Sequence, residues 1–221
     1  MADSRLTNFA KVLVERCASV KSGDRILIEA TTAAEPLVLE LYVQILERGG
    51  HPHPLLQLPD MFFPGHEDLL LLHGDNRQID FVPTFQMLAY DQFEGRIRIH
   101  SATNTRSQTS INSSRLQRRG KSTGVITATQ MRRGAEGAFK WVTTLYPTDA
   151  YAQDAEMSFE QYADFVFRAV HANEADPIAY WKKVEKDQQA AVDFMAGKSQ
   201  VILRGPNVDL SLSVKGRKFM N

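Results

Sequence analysis

The chain has a single cysteine, Cys17, among its 221 residues. No disulfide can form within the chain, which is typical of an intracellular protein. We predict that Cys17 lies on the apolar face of a helix over residues 4–19 and packs in the core, rather than acting as a nucleophile. No apolar run approaches the ~20 residues that a bilayer-spanning helix needs. Residues 3–5 are polar where a signal peptide would be apolar, so we expect a cytoplasmic protein.

The sequence also lacks net charge and the common catalytic motifs. Its 26 basic residues balance 26 acidic ones, so no global field attracts nucleic acid or anionic lipid. No Walker loop, G-x-S-x-G elbow or H-E-x-x-H pattern occurs. The first strand-to-helix turn, residues 29–35, contains no glycine, and Glu35 would oppose an anion at that helix start. Dinucleotide binding at this turn is therefore not predicted.

What is present is an alternation of strands and helices. Residues 25–30 form an apolar strand, a helix opens at Thr31 or Thr32 and ends at Gly49-Gly50, and residues 51–57 form a proline-containing strand. Further strands are predicted at 96–100 and 140–145 and further helices near 77–93 and 110–135, with an irregular connection over 59–76. This order predicts a layered, Rossmann-like α/β domain with a mostly parallel sheet.

The last third of the chain predicts two helices and a hairpin. Ser158 and Gln161 form a capping-box pattern, and Asp176-Pro177 starts a long helix that stops at Gly197. Residues 198–221 read as two strands joined by a Gly-Pro-Asn turn, with Val208, Leu210 and Leu212 on one face. A two-stranded hairpin is marginal alone. We therefore expect a domain at 1–197 and the first hairpin of a truncated second domain at 198–221, with these apolar side chains exposed.

Two groups of residues are candidates for binding. His51 and His53 lie on one side of an extended segment, and His66, Glu67 and Asp68 add metal-compatible side chains, although none has a zinc-site spacing. Surface histidines are the favoured interpretation. Residues 95–140 hold ten basic side chains and one acid, Glu136. We favour a solvated face, or one paired with the acidic segments 59–80 and 149–160, over a polyanion site; a domain or subunit contact is the third option.

Segments along nearly the whole chain resemble a known family. They are residues 6–14 with 20–28, 33–38, 47–50, the Thr-Thr-Leu-Tyr-Pro-Thr run 143–148, 165–169, 176–177, and 205–210 with the Lys-Gly-Arg-Lys-Phe run 215–219. In order and spacing they resemble the M29 family of metallo-aminopeptidases, the thermophilic aminopeptidase group. Residues 59–80 match poorly.

The resemblance implies an N-terminal α/β domain followed by a C-terminal catalytic domain. That second domain would hold two divalent ions (zinc, cobalt or magnesium) through glutamate, histidine and aspartate side chains. In the family pattern these ligands follow a segment like 215–219. Hence no residue of this chain is assigned a catalytic, cofactor-binding or metal-binding role.

The implied reaction is release of N-terminal residues from peptides by metal-activated water, in a homodimer without nucleic-acid or membrane partners. The 221-residue portion alone would be inactive. One alternative is a Rossmann-like binding module for an anionic small molecule, which would use Arg118, Arg119, Arg132 and Arg133. A weaker alternative is a nucleic-acid binder, whose affinity would fall steeply with salt.

Overall fold

A parallel four-stranded sheet organises the first part of the chain. The computed structural model describes residues 3–58 and 65–219. The strands are β1 (Arg25–Thr31), β2 (His51–Gln57), β3 (Gly95–His100) and β4 (Lys140–Leu145), in the order β2-β1-β3-β4. β1 is central and buried, whereas β2, with its two prolines, lies at an edge. The predicted strands and the parallel α/β sheet are confirmed.

Helices cover both faces of this sheet. Their bounds are α1 (Ser4–Lys11), α2 (Glu35–Glu47), α3 (His66–His73), α4 (Asn76–Asp80), α5 (Thr84–Gln92), α6 (Ser113–Ala135), α7 (Asp149–Asp154) and α8 (Phe159–Ala169). On one face, Ile26 and Ile28 of β1 share a core with side chains of α1, α2 and α8. On the other, Leu27 packs with Tyr90 of α5 and Ile126 of α6. Neighbouring residues of β1 thus serve opposite layers.

The prediction that Cys17 packs in the core is wrong. After α1 the chain continues as a π-helical turn, Val12–Cys17, in which hydrogen bonds span five residues instead of four. The wider turn rotates its last residues away from the position that a 3.6-residue period gives. Val12, Leu13 and Val14 are buried, and Cys17 is exposed.

For the connection between β2 and β3, one prediction needs correction and one is confirmed. The segment 59–76 was expected to be irregular, but residues 66–73 form α3; residues 59–64 lie outside the described part of the chain. The helical structure predicted near 77–93 is present as two helices, α4 and α5. They are separated around Pro83, which disfavours a helical backbone at the residue before it.

Three arginines of α6 hold the ends of the three short helices. Each donates to the carbonyl of a C-cap residue and to a second carbonyl near it: Arg115 to Leu71 and Gly74 of α3, Arg119 to Ile79 and Phe81 of α4, Arg133 to Tyr90 and Phe93 of α5. We call these three residues the arginine row. Their spacing places them on one face of α6. Cations at helix C-termini satisfy carbonyls that have no partner within the helix.

Residues Asp176–Asn221 form a second compact unit, apart from Met1–Ala175. It contains α9 (Pro177–Met195) and the antiparallel hairpin β5 (Gln200–Gly205) and β6 (Val208–Ser213). As predicted, the Asp176 side chain caps α9 by accepting from the Ala179 N–H at 2.9 Å. The predicted domain boundary after residue 197 stays a prediction.

The hairpin has one apolar face. Val201 is paired with Leu212, and Leu203 with Leu210. The exposure predicted for this face is confirmed: Val208, Leu210 and Leu212 are 41%, 49% and 52% exposed. Among the described residues, no helix is long and apolar enough to cross a membrane.

Candidate functional site

A cleft opens at the carboxyl ends of β1, β2 and β3. Its volume is about 950 Å³, and all its lining residues belong to the first unit. β1 and β3 are neighbours at the centre of the sheet. The strand that follows β1 in sequence, β2, lies on one side of this pair, and the strand that follows β3, β4, lies on the other side, so the strand order reverses between β1 and β3. Ligands of open α/β sheets bind outside the carboxyl ends of the strands at such a reversal of strand order. We refer to this space as the switch-point cleft.

Glu29 of β1 and Arg98 of β3 form the inner wall of this cleft. The two residues are partners in the parallel register, and Arg98 Nε donates to Glu29 Oε2 at 2.8 Å. The carboxylate also accepts from Gln86 Nε2 at 2.7 Å and from the Tyr90 hydroxyl at 3.0 Å. Arg96, buried behind them, lies 3.5 Å from the same oxygen. The result is a buried ionic network with a single carboxylate at its centre.

The opposite charges of this network stabilise each other's ionised form. Burial alone would raise the pKa of Glu29, but the guanidiniums of Arg98 and Arg96 and the hydrogen bonds hold that pKa below its ordinary value. Burial would likewise lower the pKa of Arg98, and Glu29 holds it above its ordinary value. For Tyr90, burial and the nearby Glu29 carboxylate both raise the pKa of the hydroxyl. Glu29 is therefore an anion at neutral pH, and Tyr90 keeps its proton.

Hydrogen bonds also fix the loops at the cleft floor. The Thr31 hydroxyl lies 2.7 Å from the Ser101 carbonyl oxygen and 2.8 Å from its hydroxyl, so the ends of β1 and β3 are tied together. The Ala102 N–H donates to the Tyr151 hydroxyl at 3.1 Å. On the side of α6, Arg119 Nη2 lies 3.3 Å from Glu67 Oε1. The polar part of the cleft is therefore largely preorganised by contacts within the protein.

The histidines and acids considered from the sequence are not brought together. The His53 ring contacts the Phe93 ring in a tilted arrangement, with 4.6 Å between their centroids. His66 accepts from the Leu58 N–H at 3.3 Å and lines the cleft. Asp68 is buried and accepts from Gln108 Nε2 at 2.9 Å. Within residues 3–58 and 65–219, no group of three or more histidine, cysteine or acidic side chains could hold a metal ion.

The basic stretch 95–140 is largely paired. Arg118 lies close to Asp80, Arg119 to Glu67 and Arg106 to Asp154, which confirms the predicted pairing with the acidic segments. Arg132 lies 3.4 Å from Glu136, and Arg133 belongs to the arginine row. The guanidiniums that were candidates for an anion site thus serve mainly the fold.

Sequence reasoning missed Glu29 and Arg98 as site residues. The available signal was a lone acid within the apolar strand 25–30 and two arginines that alternate with isoleucines in the strand 96–100. A charged side chain in a buried strand needs a partner of opposite charge. The register that makes these residues partners only becomes visible in the folded sheet.

Comparison with known proteins agrees with this architecture. The family model of the M29 thermophilic metalloproteases matches residues 2–221, which confirms the resemblance seen in the sequence. Among solved structures, wild-type AmpT from Thermus thermophilus superposes with a TM-score of 0.75 at 14% identity, covering 95% of this chain and 53% of that one. The chain therefore spans about half the length of that protein, with which it shares the fold. No curated protein sequence matches significantly.

Proposed function

The chain belongs to the M29 family of thermophilic metalloproteases, and on that premise we propose that it is the N-terminal α/β part of a two-metal aminopeptidase. The proposed reaction releases N-terminal amino acids from peptides by metal-activated water. The main observation that supports this proposal is the family match over residues 2–221. The exposed apolar face of the hairpin adds support, since such a face is typically covered by further structure.

The metal ions of this reaction do not fit the described residues. Two catalytic metals need several converging carboxylates and imidazoles, and no such group is present in residues 3–58 and 65–219. We propose that the ligands for zinc, cobalt or magnesium come from sequence beyond this half of the fold. The present chain then bounds the substrate cavity and supports contacts in a cytoplasmic homodimer, and is inactive alone.

Hydrolysis of a leucyl chromogenic substrate tests this proposal. The 221-residue chain and a version extended through its downstream reading frame would be assayed side by side with added cobalt or zinc. Activity of the extended protein alone is the expected outcome. Activity of the short chain would contradict the assignment of the metal ligands, and inactivity of both proteins would contradict the aminopeptidase assignment.

A second candidate function is a binding module for an anionic small molecule. The switch-point cleft favours it, because two buried or half-buried guanidiniums face one carboxylate there. The four arginines first considered for this role are poor probes. Arg118 and Arg132 lie in ion pairs, and Arg119 and Arg133 hold helix ends, so reversing these charges would disturb the fold as well as any ligand.

A further inference from the structure

The inner wall of the switch-point cleft carries an excess of positive charge. Glu29 contributes one negative charge, and Arg96 and Arg98 contribute two positive charges. These groups are poorly hydrated: the side chains of Glu29 and Arg96 are 10% and 3% exposed. An anion bound at this wall would complete the charge balance in a region where water screens charge weakly.

Two donors at the wall are available to such an anion. The Arg98 side chain is 39% exposed; its Nε and Nη2 are engaged by Glu29 and Tyr90, and its Nη1 has no hydrogen-bond partner among the described residues. His100 is the next residue of β3 on the same face, and its ring is exposed at the cleft. A guanidinium nitrogen and an imidazole nitrogen on one strand face suit a carboxylate, which accepts at two oxygens.

Apolar side chains line other parts of the same cleft. Leu55 and Leu56 of β2 are each 37% exposed there, and Phe81 and Phe85 are 63% and 85% exposed. The volume of about 950 Å³ lies in the range of roughly 300–1,000 Å³ that small-molecule sites occupy. Apolar side chains that line a concave cleft together with a few polar groups are typical of a small-molecule binding site.

Few acceptors remain for a ligand amine. The Glu29 carboxylate already accepts from Gln86, Tyr90 and Arg98, and the Glu67 carboxylate lies beside Arg119. A free amino acid would bring an ammonium group without a free carboxylate to meet it. A carboxylate whose neighbouring nitrogen is an uncharged amide suits the cleft better.

We infer that the switch-point cleft binds the C-terminal residue of a peptide, with its carboxylate on Arg98 and His100 and an apolar side chain against Leu55 and Phe85. The carboxylate chemistry follows from the cleft alone. The identification of the ligand as a peptide rests on the proposed function. The cleft would then hold the far end of a peptide whose other end is trimmed elsewhere in the longer protein.

Calorimetric titration of the 221-residue chain with three small probes tests the inference. N-acetyl-leucine reproduces a peptide C-terminus, N-acetyl-leucinamide lacks the carboxylate, and leucine adds the ammonium group. We expect N-acetyl-leucine to bind about tenfold more tightly than N-acetyl-leucinamide, because the amide loses the hydrogen bonds that the protein makes to a charged carboxylate. We also expect N-acetyl-leucine to bind more tightly than leucine. Equal affinity for acid and amide, or no binding of the acid at about 10 mM, would overturn the site. Equal binding of leucine would overturn its assignment to peptide termini.

Two exposed variants locate the binding without endangering the fold. His100→Ala and Phe85→Ala should each weaken N-acetyl-leucine about fivefold or more, for loss of a charged hydrogen bond and of apolar contact respectively. The matched controls are His73→Ala and Leu88→Ala, which are exposed and do not line the cleft. Unchanged affinity in both cleft variants would place the ligand elsewhere. The titration involves no turnover, so its outcome is independent of whether the extended protein hydrolyses peptides.

Discussion

Glu29 and Arg98 are directly paired across β1 and β3 and are joined by a hydrogen bond of 2.8 Å. The pair crosses the point at which the strand order reverses, so one ion pair both ties the two central strands together and forms the wall of the cleft. The carboxylate cannot be removed without leaving two guanidiniums uncompensated in a largely buried region. The stability of the domain and the charge of the cleft are therefore set by the same residues.

Replacing Glu29 by glutamine should be strongly destabilising. The amide keeps the shape of the side chain but leaves Arg96 and Arg98 without a counter-charge, which costs about 3 kcal/mol of unfolding free energy. Urea denaturation of Glu29→Gln against the parent chain measures this. The control is Glu136→Gln, whose ion pair with Arg132 is more than half exposed and should contribute roughly 0.5 kcal/mol or less. Similar losses in both variants would contradict the buried-network account.

Acid should weaken the domain partly through Glu94. The hydrogen bonds from the Arg25 side chain lower the pKa of Glu94 to about 2 from 4.5. Because the pKa is lower in the folded state, this stabilisation is present above pH 4.5 and is lost as the pH falls toward 2. Urea unfolding across that range should show a shallower acid loss for Glu94→Gln than for the parent. Parallel curves would show that Glu94 has no such role.

Gly134 in α6 should not accept a side chain. A Cβ built at Gly134 would lie 2.2 Å from Cζ3 of Trp141, so Gly134→Ala should cost roughly 1–3 kcal/mol through overpacking. Gly124 of the same helix has nothing within 4 Å of such an atom. Gly124→Ala should therefore stabilise the domain by about 0.5–1 kcal/mol, because alanine favours the helix. Thermal or urea unfolding of both variants should give effects of opposite sign.

Arg133 should matter more than its neighbour Arg132. Arg133 Nη1 donates to the carbonyl oxygens of Tyr90 at 2.8 Å and Phe93 at 2.7 Å, and Arg133→Met should cost about 2 kcal/mol for the loss of these charged hydrogen bonds. Arg132→Met removes an exposed ion pair and should cost about 0.5 kcal/mol or less. Equal effects in urea denaturation would contradict the role of the arginine row.

Divalent metal should leave the stability of this chain unchanged. Metal binding at a site of micromolar affinity would add about 2.7 kcal/mol to the free energy of unfolding at a metal concentration about a hundred times the Kd. Such a gain would raise the unfolding temperature by several degrees. We expect the unfolding temperature to be the same with cobalt, zinc or a chelator. A clear increase with either metal would contradict the proposal that the metal ligands lie beyond this half of the fold.

The regular patterns of the sequence were sufficient to predict the sheet. They were not sufficient to predict irregular local geometry. Strand 25–30 and the caps at Ser158 and Asp176 follow from short-range chemistry, and the structure has them. Cys17 was misplaced because a π-helical turn changes the period without a distinct sequence signature. The break between α4 and α5 was foreseeable from Pro83, whereas α3 lies in a segment whose composition suggested a loop.

The candidate site was the least predictable feature. Glu29 and Arg98 are 69 residues apart, and each alone reads as an exception within an apolar strand. Their association depends on β1 and β3 becoming neighbours in a particular register. The pairing of the basic stretch was easier, because charge balance already favoured partners in the flanking acidic segments.

The arginine row also has a consequence for how the domain opens. Arg115, Arg119 and Arg133 attach α3, α4 and α5 to a single helix, so detachment of α6 would leave the ends of all three unsatisfied at once. These four helices should therefore exchange their amide hydrogens with solvent as one cooperative unit, with a common free energy of opening. The short helices of five to nine residues would fray separately in isolation. Because they are attached to the 23-residue helix α6, we expect them to open only when α6 opens.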